Sequence, residues 1–159
     1  PHLLSVHGVT IPMGTMYRPL NNDYLDTWIH QARAAQGLQL FSRRDGFHKP
    51  VDFIRSGGAL AVLSDQKMRE GPEAPFFGQM VRSSPIVGLF HRRSEAPILS
   101  MSVKTVAPGR WQLTLRSVKV GPEVDRSSRE AMATVCNQAL EAMLSESITD
   151  GFWLHKRFH

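Results

Sequence analysis

Ala59-Leu60-Ala61-Val62-Leu63-Ser64-Asp65-Gln66 decides the fold. Its apolar run ends abruptly in a hydroxyl, a carboxylate and an amide. A charged loop bearing glycine and proline follows, as far as Pro75-Phe76-Phe77-Gly78. Buried parallel strands deliver polar side chains to a pocket at their carboxyl ends in this way. Upstream, the strand-like run ending in Tyr17-Arg18-Pro19-Leu20 does the same with a permanent cation.

Working outward, Val9 to Tyr17 predicts a strand, and Asn22 or Asp23 caps a helix with Leu25, Trp28, Ile29 and Ala32 at helical spacing, stopped by Gly37. Leu38 to Phe41 reads as a short strand. Pro50 opens a brief helix through Val51, Phe53 and Ile54, which Gly57-Gly58 ends before the strand Ala59 to Leu63. Ser84 and Pro85 start another helix with Ile86, Leu89 and Phe90. Ile98 to Val106 and Trp111 to Val120 alternate with period two around Ala107-Pro108-Gly109-Arg110, strong hairpin punctuation. Ser127 and Glu130 form a capping box for a last helix running to about Glu146. Strands alternating with helices, then a hairpin, predict an α/β fold: a layered mixed sheet flanked by helices, with a single domain over residues 1–159.

Composition excludes several classes. At 159 residues the chain suits one sizeable core, and no apolar run approaches the roughly 20 residues that span a bilayer. The single Cys136 rules out an internal disulfide or a multi-cysteine zinc site; on a face with Met132, Leu140 and Met143 it reads as a buried structural thiol. No histidine spacing suggests a metal, and none is expected. Net charge is +5, concentrated in Arg43-Arg44, Lys67 with Arg69, Arg92-Arg93 and Lys156-Arg157. Nucleic-acid motifs are missing, so lipid phosphate and an acidic protein are the better partners and nucleic acid is not expected.

Tyr17-Arg18-Pro19, Ser64-Asp65-Gln66, Pro75-Phe76-Phe77-Gly78, Pro97 in Ala96-Pro97-Ile98 and the closing Trp153-Leu154-His155-Lys156-Arg157-Phe158 together resemble the bacterial lipid A biosynthesis acyltransferases. The resemblance runs from about Gly8 to Phe158. It implies a glycerolipid-acyltransferase-like fold, incomplete at the N-terminus, and transfer of a fatty acyl chain from acyl carrier protein to a hydroxyl of a lipid A precursor. The implied partners are acyl carrier protein, an anionic glycolipid acceptor and the membrane surface, at the cytoplasmic face of the bacterial inner membrane. No cofactor is implied beyond the donor's phosphopantetheine arm.

That family's catalytic signature is a His followed five positions later by Asp or Glu, a base with its orienting carboxylate. Five positions after His2 comes His7, after His7 Pro12, after His30 Ala35, after His48 Phe53 and after His91 Ala96, while His155 and His159 run off the sequence. No catalytic residue is therefore assigned in this chain. The resemblance implies the C-terminal part of an acyltransferase, inactive alone, whose sheet lacks a strand; self-association through the exposed edge is a further expectation.

Five residues are candidates for substrate binding. A guanidinium stays charged and grips a phosphate in two places, and the resemblance gives Arg18 a phosphate of the acceptor or of the donor's arm. The alternative is pairing with Asp23 or Asp26. Asp65, a costly carboxylate at a buried strand end, holds Arg18 or hydrogen-bonds the acceptor sugar by the same resemblance; otherwise it caps the following turn. Gln66 joins it by proximity. Phe76 and Phe77 form a wall for an acyl chain or simply fill a core. Two other functions stand beside the leading one. They are acylation of another glycolipid such as a phosphatidylinositol mannoside, and a non-catalytic α/β module binding anionic lipid or glycan.

Overall fold

The computed structural model describes residues 8, 10–35, 37–42, 44, 46–66, 68–151 and 157–158. The chain gathers into two compact units, Pro1–Val62 and Leu63–His159, although no linker marks the division in the sequence. Among the described residues no helix is long and apolar enough to cross a membrane.

In the first unit β1 (Met13–Tyr17), α1 (Asp23–Ala34), β2 (Leu38–Ser42), α2 (His48–Arg55) and β3 (Ala59–Ala61) alternate. The strands form a parallel sheet in the order β2-β1-β3. Met13 lies opposite Leu38 on one side and Ala59 on the other. The Asn22 side chain accepts the Leu25 N–H at 3.1 Å, the expected cap. The helix expected to open at Pro50 begins two residues earlier at His48, leaving Pro50 in the first turn, where its missing N–H is tolerated. Two expected strands are shorter. Val9 lies outside the described residues and β1 starts at Met13; β3 stops at Ala61 because its pairing with β1 ends there, and Leu63 is exposed.

Packing explains two glycines. Phe41 and Phe53 meet at 5.3 Å between ring centroids over the sheet. A Cβ on Gly14 would lie 2.8 Å from the Phe41 ring, and one on Gly58 2.5 Å from Phe53. Glycine at both positions lets the rings settle against the backbone.

The second unit contains β4 (Glu73–Phe76), β5 (Gln79–Arg82), α3 (Ile86–Ser94), β6 (Ile98–Ala107), β7 (Arg110–Val118), α4 (Arg129–Ser145) and a 3-10 turn at Ile148–Asp150. The β4–β5 hairpin replaces what the sequence presents as a loop. Phe77 and Gly78 both have positive φ, 48° and 75°, the condition for a two-residue hairpin turn. The sequence concealed this because Phe-Gly stands where Asn-Gly is usual, and because Pro75 argues against a strand. A two-stranded ribbon tolerates that proline, since each strand has a free edge.

The β6–β7 hairpin forms as expected, with an irregularity between Thr105 and Ala107. The α4 cap falls on Ser128 instead of Ser127. Ser128 Oγ accepts the Ala131 N–H at 3.1 Å, while the Ser127 hydroxyl and N–H are both taken by the Asp125 carboxylate. α4 buries Met132, Ala133, Cys136, Asn137 and Met143 and packs on β4 and α3. A Cβ on Gly88 would come 2.7 Å from Met132, so α3 and α4 approach closely there. Burial pushes the Cys136 thiol up to about 11, which leaves it inert at neutral pH. The fold is α/β, with parallel and antiparallel pairings held in three separate small sheets.

Candidate functional site

A buried polar residue on an otherwise apolar helix face must find partners locally. Asn137, 1% exposed on α4, does so. Its Nδ2 donates to the Pro75 carbonyl at 3.0 Å and lies 2.9 Å from Ser83 Oγ, tying α4 to β4 and to the residue that follows β5. Its Oδ1 accepts from Arg157 Nη2 at 2.8 Å, and Arg157 Nη1 donates to the Ser64 carbonyl at 3.1 Å. The guanidinium lies 4.0 Å over the Phe76 ring, and Phe158 stacks on that ring at 5.8 Å. Arg157 thus joins the Ser64 turn, the hairpin and α4 in one buried cluster.

Its electrostatics follow from burial. Desolvation lowers the Arg157 pKa from its ordinary value, and the carboxylates of Asp65 and Glu141 oppose that shift. Arg157 Nε is buried without a hydrogen-bond partner among the described residues. Glu141 Oε1 also accepts the Phe77 N–H at 2.7 Å. That bond holds a bulky aromatic in the left-handed region, where φ of 48° is unfavourable for any residue with a Cβ.

Each candidate from the sequence has a definite place. Asp65 is half-buried beside the anchored Ser64 carbonyl, with its charge acting on Arg157; Gln66 follows and is exposed. Phe76 is 1% exposed and serves as the floor under Arg157, so of the aromatic pair Phe77, at 37%, is the ring that presents a surface. In the first unit Arg18 is exposed directly after β1. Asp26, an alternative partner for it, instead accepts the Leu20 N–H at 2.8 Å, and among the described residues Arg18 has no ion pair. Arg44 is exposed just after β2, whose parallel pairing with β1 brings both arginines to the carboxyl edge of this sheet. Tyr17, the last residue of β1, meets the His30 ring edge-on at 5.7 Å.

Arg157, Asn137 and Glu141 were not singled out by sequence reasoning. Asn137 carried a signal, an amide interrupting the apolar face of Ala133 and Cys136. Arg157 stood inside a recognised phrase as one of a basic pair, with nothing to mark it as buried. Arg43, Lys67 and Trp153 to Lys156, also noted in the sequence, lie outside the described residues. Among the described residues no group of three or more His, Cys, Asp or Glu side chains is placed to hold a metal ion.

The arrangement therefore ties the Ser64 carbonyl, next to Asp65 and Gln66, into a buried cluster, and leaves a separate exposed cation at the edge of a parallel sheet. The family model described as bacterial lipid A biosynthesis acyltransferase matches residues 3–159. No curated protein matches the chain.

Proposed function

Because the chain belongs to the bacterial lipid A biosynthesis acyltransferase family, we propose that it forms the substrate-holding part of an enzyme that transfers a fatty acyl chain from acyl carrier protein to a hydroxyl of a lipid A precursor. The acceptor hydroxyl gives its proton to a base as its oxygen attacks the thioester carbonyl. The tetrahedral intermediate collapses, the C–S bond breaks, and the phosphopantetheine thiolate leaves and takes up the proton. Arg18 grips a phosphate of the acceptor or of the donor's arm. Asp65 and Gln66 hydrogen-bond the acceptor sugar, and Phe77 lines the acyl chain. The setting is the cytoplasmic face of the inner membrane, with the donor's own arm as the only cofactor.

The base is supplied from outside these 159 residues, since none of the histidines is followed five positions later by an acid. The observation that carries the proposal is the family match over nearly the whole chain. The Arg157 clamp adds support, because it holds the Ser64 carbonyl next to Asp65, whose charge acts on the guanidinium.

Mass spectrometry of a lipid A precursor incubated with acyl-loaded carrier protein tests this. The 159-residue chain alone should give no acylated product. In an enzyme that contains it and is active, Arg18→Lys should lower kcat/KM about tenfold or more, as expected when a charged two-point grip is lost. Turnover by the chain alone that survives His2→Ala and His7→Ala would overturn the external base, and near-normal rates in Arg18→Lys and Asp65→Asn would remove the substrate contacts assigned to each.

A further inference from the structure

Two arginines leave the first unit's sheet side by side. Arg18 directly follows β1 and Arg44 closely follows β2, and both are exposed. Tyr17 and Ser42 are register partners where the two strands end, and neighbouring strands lie about 4.8 Å apart. Local structure holds each backbone. A residue before proline is confined to extended geometry, which restricts Arg18 ahead of Pro19. The Arg44 N–H donates to Ser42 Oγ at 3.2 Å, so the buried last residue of β2 closes the turn that carries Arg44. Among the described residues neither arginine has an ion pair.

The two helices that open at this edge differ in charge. α1 starts under the Asn22 cap with Asp23 and Asp26 in its first turn, and those carboxylates offset the positive end of its dipole. α2 starts after the Arg44 turn with no side-chain cap and no acid in its first turn, where His48 and Lys49 stand exposed. Positive potential therefore gathers at the Arg44 turn, beside the strand that carries Arg18.

Charge then selects the kind of phosphate. A phosphate monoester carries about −1.5 to −2 at neutral pH and offers three terminal oxygens. A diester carries a single charge and offers two. Two guanidiniums match the first in charge and in donors, whereas one suffices for the second. We infer that Arg44 completes, with Arg18, a site for a phosphate monoester, which gives this edge to the phosphorylated acceptor and not to the diester of the donor's arm. Calling the ligand an acceptor rests on the proposed function; the choice of monoester does not.

NMR titration of the backbone amides of the 159-residue chain tests this without turnover. The probes are methyl phosphate, dimethyl phosphate and inorganic phosphate. Methyl phosphate should move the Arg18 and Arg44 amides along one saturation curve, and dimethyl phosphate should bind about tenfold more weakly. Arg44→Gln should weaken methyl phosphate about tenfold as read at the Arg18 amide, the loss expected for a charge-assisted contact, and Arg44→Lys should recover part of it. An Arg18 curve indifferent to Arg44→Gln would mean separate sites and overturn the inference. So would equal affinity for the two esters, or inorganic phosphate binding more tightly than methyl phosphate, which would mean a free anion. Monoester binding that follows these rules, in a chain whose longer enzyme does not acylate a lipid A precursor, would spare the site and defeat the proposed function. Acyl transfer by an active enzyme carrying Arg44→Gln, with an unchanged KM for the acceptor, would do the reverse.

Discussion

Arg18 and Arg157 belong to different units and meet water in opposite ways. Arg18 follows a parallel strand, stands exposed and has no ion pair among the described residues. Arg157 is 6% exposed, with its two terminal nitrogens on Ser64 and Asn137 and its plane over Phe76. A guanidinium that must grip a substrate has to keep its donors free. One that organises a site commits them internally. The comparison separates two jobs that a count of basic residues would merge.

The sharpest way to break it is to remove each arginine in turn. Arg157→Ala should destabilise the fold by about 3–5 kcal/mol, because Asn137 Oδ1 and the Ser64 carbonyl each lose a charge-assisted hydrogen bond. Urea denaturation followed by circular dichroism measures this, and a loss no greater than that of Arg18→Ala would erase the distinction. Next in size is an effect of pH on the buried face of α4. The Cys136 pKa is raised from 9.0 to about 11 in the fold, so the unfolded chain loses its proton first as pH rises. Its contribution is present in full below the unfolded value and is lost as pH climbs through the folded one, about 3 kcal/mol in all. Cys136→Ala should flatten that part of the stability curve, and an unchanged slope would place the cause elsewhere.

In the unit of Arg18, Gly14→Ala should cost about 2 kcal/mol, since the new methyl meets the Phe41 and Phe53 rings. A smaller loss would mean the rings shift easily. Phe77→Asn should gain up to about 1 kcal/mol by relieving the positive φ, unless the ring contact with Phe76 at 4.8 Å outweighs it. A gain would show that stability alone does not keep the aromatic there. Smallest is Arg18→Ala, expected to change stability by less than about 0.5 kcal/mol. A larger change would assign Arg18 a structural role in place of binding.

The same contrast explains what was legible in the sequence. Arg18 and Asp65 stand out because apolar runs give way to polar residues there, although β3 itself ends at Ala61, and the caps at Asn22 and near Ser127 are local signals. The parallel order β2-β1-β3 agreed with the alternation of strands and helices. By contrast the β4–β5 hairpin depended on a positive φ at Phe77, which the Glu141 carboxylate supports from 64 residues away. Asn137 and Arg157 owe their roles to partners distant in sequence, and no spacing rule reaches those.

The bond from Arg157 to Ser64 closes a span of 93 residues, whereas β4, its turn and β5 close within a few. Distant contacts bear the larger loop-closure entropy and form late. The clamp is therefore largely absent at the folding barrier and present only beyond it. Its energy then acts on the rate of escape from the native state, so loss of Arg157 should accelerate unfolding while leaving refolding nearly unchanged. Arg157 determines how long the Ser64–Asp65 turn stays in place once it has formed.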